Sequence, residues 1–176
     1  MKERAALSLL ILSVFLLLAT PIPRAVDDDE DEAKDQSTVT KALPQAKVSL
    51  EQAMAASERE GKPISAKFEV EDGKLQLSVY TMKGGKFSEV LVDHVSGKVL
   101  KVEAITGRED LTAAKSQTEA MAKAKKTLRA AVGEALTANK GYRAVSVVAE
   151  IEDGHPVADI TLAKGDEIKK VEEKLE

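Results

Sequence analysis

Residues 69–74 read EVEDGK, and residues 150–155, 81 positions later, read EIEDGH. Asp-Gly between two alternating runs is a tight-hairpin signal, because both turn positions want a positive φ. Before the first turn Ala66, Phe68 and Val70 alternate with Lys67, Glu69 and Glu71. After it Leu75, Leu77 and Val79 alternate with Gln76 and Ser78. That period of two predicts half-buried antiparallel strands. Gly84-Gly85 turns the chain again into residues 87–93, and Ser96-Gly97 turns it once more into Val99-Leu100-Lys101-Val102. The same shift of 81 sets Lys83 on Lys164, Gly84 on Gly165 and Val90 on Val171, with Val70 facing Ile151 and Val79 facing Ile160. Identities fall at turns and similarities at apolar strand positions, the pattern of an internal duplication.

A helix precedes each set of strands. Ser49 and Gln52 have the spacing of a capping box, Leu50, Ala53 and Met54 share a face, and Gly61-Lys62-Pro63 stops the helix. In the second half Leu128, Ala131, Val132, Ala135 and Leu136 recur at helical spacing, and Gly141 ends the run. Met121 and Ala124 lie on the same stripe, and Ser116-Gln117-Thr118-Glu119 offers an earlier start. The expectation is one continuous connecting helix of about 25 residues, on the order of 37 Å long. The predicted class is α+β: two tandem modules, each a helix packed on a small antiparallel β-meander.

The chain has 176 residues, no Cys, no Trp and a formal net charge of −4. The absence of Cys excludes disulfides, thiol nucleophiles and thiolate metal sites. An acidic chain with scattered Lys and Arg is a poor nucleic-acid binder, so no nucleic-acid partner is expected. Residues 1–25 place Lys2 and Arg4 before the apolar run Ala5 to Ala19, the layout of a secretory signal with removal near Ala19 to Ala25. An uncleaved anchor is the alternative, and it is the one expected route to a membrane. Those 25 residues carry Lys2, Arg4 and Arg24 against Glu3, so the remainder carries −6. Residues 26–46 open on six acids, Asp27 to Glu32, and are expected to form a disordered acidic linker. Module 1 then spans 47–103, a linker or helix start spans 104–115, and module 2 spans 116–176.

The pattern resembles the PepSY domain of peptidase propeptides. The resemblance rests on Val48-Ser49-Leu50-Glu51-Gln52-Ala53, on Ala66 to Leu75 through the first hairpin, and on Val92-Asp93-His94-Val95-Ser96-Gly97-Lys98-Val99-Leu100-Lys101-Val102. The second copy is similar but ends without the Gly-Lys-Val turn, so its last strand is expected to be missing. The resemblance implies an extracytoplasmic location, periplasmic or secreted. It also implies a non-catalytic module that inhibits a peptidase or helps it to fold, with a metallopeptidase as one candidate partner. It transfers no catalytic residues.

The search for chemistry predicts no catalytic, cofactor or metal residues. His94 and His155 fall in predicted turns with no second ligand at i+3 or i+4. Lys83-Gly84-Gly85-Lys86 lacks the strand-to-helix context of a phosphate loop and reads as a hairpin turn. Glu69 and Glu71 lie on the polar face of a strand and are expected to be solvated. Ser49, Ser57, Ser65, Ser78 and Ser88 have no nucleophile context. Lys123, Lys125, Lys126 and Arg129 form one basic concentration, read as a solvated helix face, with an anionic surface or acidic partner as the alternative. The expected function is protein binding, in which a partner strand adds to a free sheet edge. A sensory, calcium-holding or structural module is the alternative.

Overall fold

A computed structural model describes residues 36–176. The expected signal segment, 1–25, and the acidic run Asp27–Glu32 lie outside the described residues. Among the described residues, four helices and seven strands follow one another. Helix α1 covers residues 36–42 and runs into a 3-10 turn, Leu43–Gln45, and α2 is Leu50–Ser57. Strands β1 (Lys62–Glu71), β2 (Lys74–Lys83), β3 (Lys86–Val92) and β4 (Val99–Ala104) come next. Helices α3 (Arg108–Lys123) and α4 (Leu128–Ala138) lead to β5 (Arg143–Glu152), β6 (His155–Lys164) and β7 (Glu167–Lys174).

All seven strands form one antiparallel sheet in the order β4-β3-β2-β1-β5-β6-β7. The hairpin turns behave as their residues require. Asp72 and Gly73 have φ of 49° and 74°, and Asp153 and Gly154 have 49° and 85°. Lys62 and Arg143, Glu71 and Glu152, Lys74 and His155, and Lys83 and Lys164 are matching strand ends, each pair 81 residues apart. The register slips between Pro63 and Ser65 in β1, and between Ala144 and Ser146 in β5, which is the same place under that shift.

One row of side chains crosses the whole sheet: Val102, Val90, Val79, Ala66, Val147, Ile160 and Val171. The five central members are at most 1% exposed. Helices α2 and α4 pack side by side on this face, and their Leu50, Ala53, Met54, Leu128, Ala131 and Val132 close the core. Ser65 points the other way by strand alternation, and its hydroxyl donates to Gln117 Oε1 on α3 at 3.0 Å. Helix α3 therefore crosses the opposite face, mainly over β5 and β6.

Two expectations need correction. Residues 36–46 were expected to belong to the disordered linker. Residues 36–45 are helical, and Val39, Leu43 and the extended Ala46 are buried against the core. Arg143 holds them by donating to the carbonyls of Leu43, at 2.9 Å, and Val48, at 3.4 Å. The expected continuous connecting helix is two helices. Ala124 is extended, with φ −68° and ψ 137°. The Lys125 and Lys126 amides turn aside to the carbonyl of Leu175, at 2.6 and 3.0 Å. Thr127 then caps α4, accepting from the Ala130 amide at 3.2 Å. Breaking there lets α3 lie on one face of the sheet and α4 on the other.

Candidate functional site

The site with the clearest functional character is the edge of β4, which no other strand among the described residues covers, and the turn that presents it. Asp93 builds that turn. Its Oδ1 accepts from the amides of Val95 and Ser96 at 3.0 and 2.5 Å, and its own carbonyl accepts from Gly97 at 2.8 Å. The Ser96 and Val95 amides hold the Asp93 carboxyl below the usual range. Gly97 has φ 75°, and the Val48 side chain lies 3.6 Å from where a Cβ would stand. The His94 carbonyl accepts from the amides of Lys47 and Val48, at 2.8 and 3.0 Å. This ties the turn to the start of α2, whose capping box is complete: Ser49 N to Gln52 Oε1 is 2.8 Å and Gln52 N to Ser49 Oγ is 3.3 Å. The Asp-x-x-Ser-Gly-Lys run is thus a clamp that fixes where β4 begins.

Strand β4 itself is exposed along its length. Val99, Leu100 and Val102 are 38%, 67% and 43% accessible, which for three apolar residues on one edge strand is an unguarded arrangement. Leu100 is the extra residue of a bulge: Lys101 pairs with Leu91 and Val99 with Val92. Lys101 Nζ lies 2.8 Å from Glu103 Oε1, on the face away from α2.

The other sequence-singled residues take structural roles. Lys83 to Lys86 is the β2–β3 hairpin turn. His155 Nδ1 lies 2.7 Å from Glu176 Oε1 at the surface. His94 is less open than its turn position suggested, and its Nδ1 is buried with no hydrogen-bond partner. Of the serines, Ser57 donates to the Met54 carbonyl and Ser65 to Gln117. Within the basic group, Lys126 pairs with Glu134 at 2.6 Å and Arg129 with Glu58 at 3.4 Å. Among the described residues, no group of three or more His, Asp or Glu is placed to hold a metal ion.

Glu69 departs from expectation. Instead of a solvated face it belongs to a half-covered polar network that sequence reasoning missed. Lys67 lies 2.6 Å from Glu69, and Ser78, fully buried, donates to Glu69 at 2.9 Å. Tyr80 donates to Glu89 at 3.2 Å, and Lys67 sits 5.8 Å from the Tyr80 ring centre. Burial, reinforced by the negative charges of Glu69 and Glu89, pushes the Tyr80 hydroxyl up, and burial likewise raises Glu89. The signal was Tyr80, a large aromatic in the polar alternation of β2 with Gln76 and Ser78, since a buried Tyr hydroxyl needs an acceptor.

Residues 47–103 match the PepSY family. Its description is "Peptidase propeptide and YPEB domain". The PepSY stretch begins just before α2 and ends within β4, so it contains the Asp93 clamp and nearly all of the exposed strand. A solved structure described as a "putative lipoprotein" from Clostridium difficile 630 aligns at 14% identity. The alignment covers 68% of this chain and 79% of that one, with a TM-score of 0.39. No curated protein matches this chain.

Proposed function

We propose that this chain is an exported, non-catalytic protein-binding module, built from two copies of one helix-and-meander unit. Binding occurs by addition of an extended segment of the partner to β4. The observation that carries this reading is the apolar edge of β4, unpaired among the described residues, in a sheet whose other edge is charged. Backbone pairing to such an edge needs little sequence complementarity, and the exposed Leu100 and Val102 side chains add apolar contact. Two copies are supported by the 81-residue spacing of strand ends and by the matching register slips. The PepSY match makes a peptidase the first partner to try. An extracytoplasmic location is in keeping with that match and with the signal-like sequence of residues 1–25. No helix among the described residues is long and apolar enough to cross a membrane.

The test is cross-linked capture from the host envelope by the wild type and by Val102→Pro, followed by a cleavage assay with any peptidase recovered. The expected result is a partner held by the wild type and lost with Val102→Pro, its cleavage rate altered by excess wild-type protein. A partner captured equally by both would place binding elsewhere and sink the edge reading. A partner with no peptidase activity would leave the edge and remove the peptidase.

A further inference from the structure

Granting that β4 is the docking edge, we infer that a second copy of this chain is its resting occupant, joined β4 to β4 in antiparallel register about Val102, and that a client must displace it. The backbone of the strand suits this join. The Ile105 amide donates to the Phe87 carbonyl at 3.0 Å, which marks that pair as hydrogen-bonded. Along an antiparallel ladder such pairs recur every second residue, so Glu103 and Lys101 turn their polar backbone groups toward β3, and Val102 and Ala104 turn theirs outward. Two copies related by a two-fold axis at Val102 therefore exchange hydrogen bonds between their Val102 residues.

The side chains agree with that register. A two-fold axis at Val102 sets Lys101 opposite Glu103 of the second copy, and Glu103 opposite its Lys101. Opposite charges facing across an antiparallel pair stabilise it, and like charges disfavour it. Leu100, left over by the bulge, falls opposite Ala104, so the large residue meets the small one. Val102 of each chain would carry the apolar row Val90, Val79, Ala66 and Val147 unbroken across the join.

The molecule already contains one such join. At the β1–β5 seam Ala66 faces Val147, Ser65 faces Val148 and Lys67 faces Ser146. Under the 81-residue shift each of these pairs exchanges equivalent positions, the signature of an isologous contact about a local two-fold axis. A β4–β4 contact repeats inter-molecularly what the seam does within the chain. The far edge cannot compete on these terms, because six of the eight residues of β7 are charged. The contact is one short strand wide, so the expected dimer is reversible and concentration-dependent.

Sedimentation equilibrium of the full chain, monomer mass 18.9 kDa, decides the question. Wild type is expected to approach twice that mass as concentration rises. K101E and E103K each turn two attractive pairs repulsive and are expected to weaken self-association about tenfold or more. An equimolar mixture of the two variants restores attraction at both pairs and is expected to recover the dimer. Val102→Pro abolishes it. All four proteins share the same N-terminal segment, so any difference among them reports β4. A wild type that stays monomeric, a dimer indifferent to the charge reversals, or species that keep growing beyond the dimer would each overturn the inference. Client capture separates this from the docking edge itself: K101E is expected to retain the client that Val102→Pro loses. If K101E self-associates like wild type while Val102→Pro loses the client, the edge stands and the self-pairing falls.

Discussion

The two ends of the sheet are finished in opposite ways. Strand β7 carries Glu167, Lys169, Lys170, Glu172, Glu173 and Lys174. Just beyond it, the Leu175 amide donates to the Pro156 carbonyl at 3.0 Å, and the Leu175 carbonyl holds the turn between α3 and α4. Strand β4 carries Val99, Leu100 and Val102 into solvent. A sheet edge offers unpaired backbone groups whatever its sequence, so side chains decide whether it invites pairing. Here one edge is closed by charge and by a tie to the helices, and the other is left open. The PepSY match stops within the open strand.

The comparison is broken most severely by one substitution made at two members of the same row. Val147→Asp would bury an unpaired carboxylate at the seam, where Val147 is fully buried. A loss of about 3–5 kcal/mol is expected, close to the whole stability of a small domain. Val102→Asp, at the open end of that row, is expected to cost about 1 kcal/mol or less and to abolish pairing at the edge. Thermal unfolding followed by circular dichroism measures both. Similar losses at the two positions would mean that β4 is not an open edge.

Next in size are the two Asp-Gly turns. Gly73→Ala and Gly154→Ala each force a side chain into a positive φ, and neither new Cβ meets another atom. Each is expected to cost about 1–2 kcal/mol, and the two costs should agree within about 0.5 kcal/mol. Chemical denaturation compares them. A difference much larger than that would show that the two hairpins, alike in sequence, are not alike in context, and would weaken the two-copy reading. The helix caps come below. Ser49→Ala removes one half of a reciprocal box, and Thr127→Ala removes a single bond. About 1 kcal/mol is expected for the first and somewhat less for the second.

What the sequence disclosed was local. The Asp-Gly turns, the alternating strands and the Ser49 cap are written in neighbouring residues, and each stands where its spacing placed it. What it withheld depends on partners far away in the chain. Nothing near residue 40 announces that Val39 and Leu43 will be buried, because the group that holds them is Arg143. The stripe from Met121 to Leu136 has no visible break, because the break is made by the carbonyl of Leu175. The joining of two meanders into one sheet rests on three paired positions between β1 and β5, which pattern alone cannot select. That the sheet would have a free edge was legible from the strand count; that the candidate edge is β4, in the first half, was not. Its apolar character needed the structure, since Val99, Leu100 and Val102 read equally well as buried.

The smallest effect expected concerns the polar face, where the two halves differ in charge. Glu89 sits beside Glu69, Lys67, Ser78 and Tyr80, with burial the main cause of its raised pKa. Under the 81-residue shift its counterpart is Lys170, in a group with Glu150, Glu152, Asp159 and Glu172. Burial raises Glu150, and the hydrogen bond with Glu152 raises Glu172. A carboxyl whose folded pKa lies above its unfolded value stabilises the protein below the unfolded pKa. That contribution is lost as pH rises through the folded value. Glu89→Gln removes the penalty of holding a charge at neutral pH. It is expected to raise the melting temperature by about 2 °C at pH 7, with the gain shrinking as pH falls to the ordinary glutamate range near about 4.3. Melting curves across that window test it. A gain that persisted at the acid end would owe nothing to the charge. A loss at pH 7 would mean that the Tyr80 hydrogen bond to the carboxylate outweighs its desolvation, and the polar face of the first half would then be a cohesive network rather than a strained one.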